Sequence, residues 1–105
     1  MHHYLVVTVD TDPDDTTITG NRTTLEWNGF RLLGSIKEAV RAFDGVFTWF
    51  VRADDQIAQL YGSHDYLLQE YSTFWDSALN EGDEIALHPH LYEFDFYSKH
   101  YRPLR

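Results

Sequence analysis

The sequence predicts an α/β domain built on a parallel βαβαβ unit, and three observations carry that prediction. Apolar runs at residues 4–9, 46–51 and 84–88 are too short for helices and read as buried strands. Segments with apolar residues at helical spacing lie between them. Strands that alternate with helices through short crossovers imply parallel pairing and right-handed connections.

The first run, YLVVTV at 4–9, ends abruptly in Asp10-Thr11-Asp12-Pro13-Asp14-Asp15, a strand entering an acidic loop. Residues 16–28 carry no regular pattern and read as a long excursion, punctuated by Gly20 and followed by Gly29. Ser35 and Glu38 have capping-box spacing, Ile36, Ala39, Val40 and Phe43 follow at helical intervals, and Asp44-Gly45 closes the segment. A helix starting at Ser35 is therefore predicted. VFTWFV at 46–51 is the second strand, after which Asp54 or Asp55 can cap a short helix over 56–61 that Gly62 ends. One longer helix is predicted over 66–81, with Leu67, Leu68, Tyr71, Phe74, Trp75, Ala78 and Leu79 on one stripe and Gly82 beyond it. EIALH at 84–88 is the third strand. After Tyr92 the chain reads EFDFYSKHYRPLR, aromatic and irregular, with no further pair of strand and helix.

Composition narrows the function classes. With 105 residues the chain makes a single domain, and 17 acidic against 8 basic residues give a net charge of -9. The basic residues are scattered, which argues against nucleic acid, because phosphate neutralisation needs grouped Lys and Arg. No apolar stretch approaches the roughly 20 residues of a membrane-spanning helix. No signal segment precedes Tyr4, so a cytoplasmic location is the expectation. The absence of cysteine removes disulfides and thiolate metal sites.

Chemistry in parallel α/β sheets sits at the carboxyl ends of the strands, where loops converge. Asp10 and Asp12, then Arg52, Asp54 and Asp55, then His88 and His90 all fall at such ends. Asp10 and Asp12 are two apart, so in an extended chain both carboxylates lie on one side, as a base and a ligand would; a solvated turn before Pro13 is the competing reading. In His88-Pro89-His90 the proline favours an extended His88, and two imidazoles with the Asp12 carboxylate make a three-ligand divalent-metal site that leaves positions for water. A pair of histidines in a surface turn is the alternative. Arg52 could orient an anionic or hydroxyl-bearing substrate, or pair with Asp54 or Asp55. His2, His3, His64 and His100 have no comparable setting and read as surface residues. Trp49, Phe50, Phe74 and Trp75 fall on core-like periods, whereas Trp27 and the aromatics after residue 91 suit either burial or stacking on a sugar ring.

The order of segments VTVDTDPDD, LEWNGF, FTWFVRADD and GDEIALHPH resembles the amino-terminal part of the polysaccharide deacetylase superfamily, the nodulation-factor deacetylase-type carbohydrate esterases. The resemblance spans nearly the whole chain, and GDEIALHPH is its most specific piece. It implies an irregular (β/α) barrel, a divalent metal (usually zinc) held by one Asp and two His, and removal of acetyl groups from N-acetylated sugars. Carried over position by position, Asp10 is the general base, Asp12 the metal-binding Asp and His88 the first metal-binding His. The family's usual second His stands four residues after the first, where this chain has Tyr92; His90 is taken as the substitute, the alternative being a weakened or absent site.

The family's later motifs supply the partner of the base, an oxyanion contact and a general-acid His, and residues 1–105 end before them. The expectation is a single partial deacetylase-like domain that self-associates or is completed by a second chain. A non-catalytic remnant or carbohydrate-binding fragment is the alternative. An apolar strand followed by DxD is also similar to the first motif of haloacid-dehalogenase phosphatases. That motif calls for Thr or Val where Asp14 stands, and it leaves the two histidines without a role.

Overall fold

The structure, a computed structural model, describes residues 5–14 and 27–103. The predicted excursion over 16–28 and the two histidines at the start of the chain lie outside those residues, apart from Trp27 and Asn28.

Strands β1 (Val6–Thr11), β2 (Val46–Val51) and β3 (Glu84–Leu87) form one parallel sheet in the order β1-β2-β3. Helix α1 (Phe30–Arg41) connects the first two strands, and α2 (Asp55–Tyr61), α3 (Tyr66–Glu70) and α4 (Ser72–Asn80) connect the second and third. The register runs from Val6 opposite Val46 to Thr11 opposite Val51, and from Thr48 opposite Glu84 to Val51 opposite Leu87. The predicted α/β class and parallel βαβαβ order are observed.

Alternation along β2 explains the layering, because successive side chains of a strand point to opposite faces. Phe47, Trp49 and Val51 are buried in one cluster with Leu33 of α1, Ile57 of α2, Leu67 of α3, and Trp75 and Ala78 of α4. All four helices therefore share one face of the sheet. Trp49 is fully buried, stacks on Phe47 at 4.5 Å and meets Phe74 and Trp75 edge-on. Burying a side chain of that size stabilises by about 4–6 kcal/mol before entropy is counted, so these aromatics serve the core. On the opposite face Val6, Thr8, Asp10, Val46 and Glu84 are exposed.

Three elements differ from the sequence expectation. Helix α1 begins at Phe30, five residues before Ser35, and Gly29 at its N-cap provides no side-chain cap. The cap comes instead from a distant residue: Asp14 accepts hydrogen bonds from the N–H groups of Asn28 (2.7 Å) and Gly29 (2.9 Å). A carboxylate here satisfies amides at the helix entrance and matches the positive end of the helix dipole, so the capping-box spacing is not used. The single helix over 66–81 is broken at Tyr71, whose φ of -107° and ψ of 32° separate α3 from α4. The Tyr71 ring stacks on Phe30 at 4.1 Å, and the Leu67 carbonyl accepts from both the Tyr71 N–H and the Trp75 indole. Finally, the irregular tail contains an antiparallel hairpin, β4 (Tyr92–Asp95) with β5 (His100–Pro103). Asp95 organises its turn by accepting from the Tyr97 N–H, and Glu93 pairs with Arg102 directly across the strands at 2.9 Å.

The amino-terminal edge of the sheet is closed by charge. The Asp83 side chain is fully buried and accepts from the Phe47 N–H and the Trp49 indole, each at 2.9 Å. Arg41 meets it at 2.7 Å and also holds Glu81 and the Gly45 carbonyl. A Cβ on Gly45 would come within 2.5 Å of the Val40 side chain, so this close approach of α1 to β2 requires glycine. Among the described residues no helix is long and apolar enough to cross a membrane.

Candidate metal centre

Three loops leave the carboxyl edge of the sheet together, and hydrogen bonds fix each one. Strand β1 runs two residues further than the apolar run suggests, through Asp10 to Thr11. The Thr11 hydroxyl donates to the Phe50 carbonyl (3.1 Å) and accepts from the Arg52 N–H (3.0 Å), locking the ends of β1 and β2 together. Asp12 is the first residue past that lock. On the other side the His88 N–H donates to the Val51 carbonyl at 2.8 Å, one step beyond β3, so His88 leaves the sheet in a set direction.

Asp54 positions the third loop. It caps α2 by accepting from the Ile57 N–H at 3.1 Å, and its other oxygen accepts from Arg52 Nε (2.8 Å) and from the His90 N–H (3.1 Å). Burial works to raise the Asp54 pKa, but the Arg52 guanidinium and the N–H groups of Ile57 and His90 outweigh it and hold the carboxyl below its ordinary value. One carboxylate thus ties β2, α2 and the histidine loop to each other.

These constraints bring Asp12, His88 and His90 together, with one donor atom from each lying within 4.8 Å of the others. His90 Nε2 is 3.1 Å from Asp12 Oδ1, His88 Nε2 is 3.6 Å from Asp12 Oδ2, and the two Nε2 atoms are 3.0 Å apart. Tetrahedral zinc with ligands at about 2.0–2.2 Å separates its donors by about 3.3–3.6 Å, so the spacing fits such an ion. All three side chains are partly open, between 25% and 35% exposed, which suits a centre that must admit a substrate. Burial pushes the His90 pKa down, and Arg52 and His88 act in the same direction against Asp12 and Asp54. The imidazole is thereby kept neutral at neutral pH, the form that ligates a metal.

The other candidates take different positions. Asp10 lies within β1 on the face away from the helices, exposed and in register with Phe50. Arg52 is 1% exposed, and its guanidinium pairs with Asp54 and Gln56, the pairing alternative of the sequence reading. Asp55 is exposed and pairs with His64 at 2.9 Å. Sequence reasoning placed Asp54 at this edge but missed its hold on His90, 36 residues away. No family model, curated protein or solved structure matches the chain.

Because Asp54 sets the His90 backbone, Asp54→Ala is expected to weaken zinc binding about 10–100-fold while Asp12 and His88 remain. Calorimetric titration of metal-stripped protein measures this. An unchanged affinity would remove the positioning role.

Proposed function

We propose that this chain carries the metal-holding part of a hydrolase resembling polysaccharide deacetylases, one that removes acetyl groups from N-acetylated sugars. The observation that supports the reading is the convergence of Asp12, His88 and His90 at the carboxyl edge of a parallel sheet. Asp12, His88 and His90 would hold a divalent ion such as zinc, which would supply Lewis acidity toward an acetyl carbonyl and a water molecule. Asp12 provides the negative charge of the ligand set, and His90, kept neutral, provides a lone pair. Asp10, two residues before Asp12 on the open face, accepts the proton of the attacking water. Arg52 acts behind the site by fixing Asp54, with no direct contact to substrate.

In a closed (β/α) barrel the face of the sheet opposite the helices lines the lumen. Here that face bears Val6 at 64% and Val46 at 42% exposure, with Asp10 between further exposed residues. A second copy of the chain, or another chain, covers it and supplies the groups that protonate the leaving amine. Cover by a second copy has a direct check: light scattering at micromolar concentration should return at least a dimer mass, and a monomer mass would count against a second copy as the cover.

Acetate release from an N-acetylated oligosaccharide tests the activity. The zinc-loaded protein should release it, and Asp12→Ala should lose about 1,000-fold or more in rate, the scale of removing a principal electrostatic element. A zinc-loaded assembly that releases no acetate would sink the proposal.

A further inference from the structure

The same sheet edge carries a second feature that the metal centre does not use. A pocket of about 350 Å³ is lined by Trp27, Asn28, Phe30, Arg31 and Tyr71, at the start of α1. That volume lies at the low end of ligand pockets, the size for one or two rings. Its wall is preassembled: Phe30 stacks on Tyr71 at 4.1 Å, Trp27 meets Phe30 edge-on at 6.0 Å, and the Trp27 indole donates to the Tyr61 hydroxyl at 2.9 Å.

Arg31 is the informative member. In a chain of net charge -9, Lys37, Arg41, Arg52 and Arg102 pair with acids, whereas Arg31, like Lys99 in the β4–β5 turn, makes no ion pair among the described residues. It also sits in the first turn of α1, where a cation opposes the helix dipole at a cost of about 0.3–1 kcal/mol. Arg31 is exposed and lines the same pocket as the aromatic residues, and a guanidinium in such a position can recognise a carboxylate bidentately. The pocket is also tethered to the metal-binding loop. Asp14 holds the Asn28 N–H at 2.7 Å, and Asp14 is two residues, at most about 7 Å of chain, from Asp12.

We infer that the Trp27, Phe30, Tyr71 and Arg31 pocket is a subsite for a carboxylate-bearing sugar ring, so that the substrate class is an acidic glycan with a uronic acid near the N-acetylated residue. This rests on the proposed hydrolase reading, but its test does not require metal. Metal-stripped protein would be titrated with a disaccharide of glucuronic acid and N-acetylglucosamine, and in parallel with neutral N,N′-diacetylchitobiose, following backbone amide shifts by NMR. The expected result is perturbation at Asn28, Arg31 and Tyr71, with the acidic disaccharide bound about tenfold more tightly. Arg31→Gln should abolish that preference and leave zinc affinity unchanged. Equal affinity for the two sugars, shifts confined to other residues, or a preference that survives Arg31→Gln would each overturn the subsite. A failed zinc titration would sink the hydrolase and leave this measurement standing.

Discussion

Asp83→Ala is expected to destabilise the fold by about 3 kcal/mol, a large part of what a domain of this size possesses. The carboxylate is fully buried, and its loss leaves the Phe47 N–H and the Trp49 indole without an acceptor and removes one of Arg41's partners. The figure sits at the low end of the range for breaking a buried pair because Arg41 is 24% exposed and keeps Glu81. The sign of the pH dependence follows from the same contacts. Burial works to raise the Asp83 pKa, but Arg41, the indole and the amide outweigh it and lower it in the folded state. Its contribution is present above the unfolded carboxylate value of about 3.9 and is lost as pH falls through the lower folded value. Urea unfolding at pH 7 and near pH 3 measures both effects. A change below about 1 kcal/mol at pH 7 would show that the amino-terminal edge is held otherwise.

His90→Ala is expected to lower zinc affinity about 100-fold or more, because it removes one of the three proposed ligands rather than a residue behind them. This substitution also decides the spelling of the site. In the family that the sequence resembles, the second histidine falls where Tyr92 stands, while the geometry brings the Nε2 of His90 within 3.1 Å of Asp12. If His90→Ala binds zinc as tightly as the parent, the ligand set drawn here is wrong. The folded protein should otherwise resemble the parent by circular dichroism, since the His90 N–H that Asp54 holds survives the change.

The parts legible in the sequence were those with local causes. Val46–Val51 announces itself by an unbroken β-branched and aromatic run, and α2 by Asp54 before it and Gly62, at φ 85°, after it. The convergence of Asp12, His88 and His90 was legible too, because parallel strands bring their carboxyl ends to one edge. What escaped depends on partners remote in sequence. The start of α1 is set by Asp14, fifteen residues before Gly29, so the nearer Ser35 and Glu38 pattern misleads. The break at Tyr71 follows from packing on Phe30 and from the Trp75 indole reaching back to Leu67. The β4–β5 hairpin lacks an Asn-Gly or Asp-Gly turn signal, and its turn is closed by Asp95 and by Lys99 at a φ of 61°. Arg52 was legible as a residue at the sheet edge; that its charge is committed to Asp54 and Gln56 follows only from burial.

That Asp12, His88 and His90 hold one divalent ion is open to cobalt(II) titration of the metal-stripped protein. Saturation is expected at one ion per chain, with the intense visible absorption of a tetrahedral or five-coordinate centre, displaceable by zinc and weakened in both Asp12→Ala and His90→Ala. Absence of saturable binding, or a stoichiometric site indifferent to both substitutions, would contradict it.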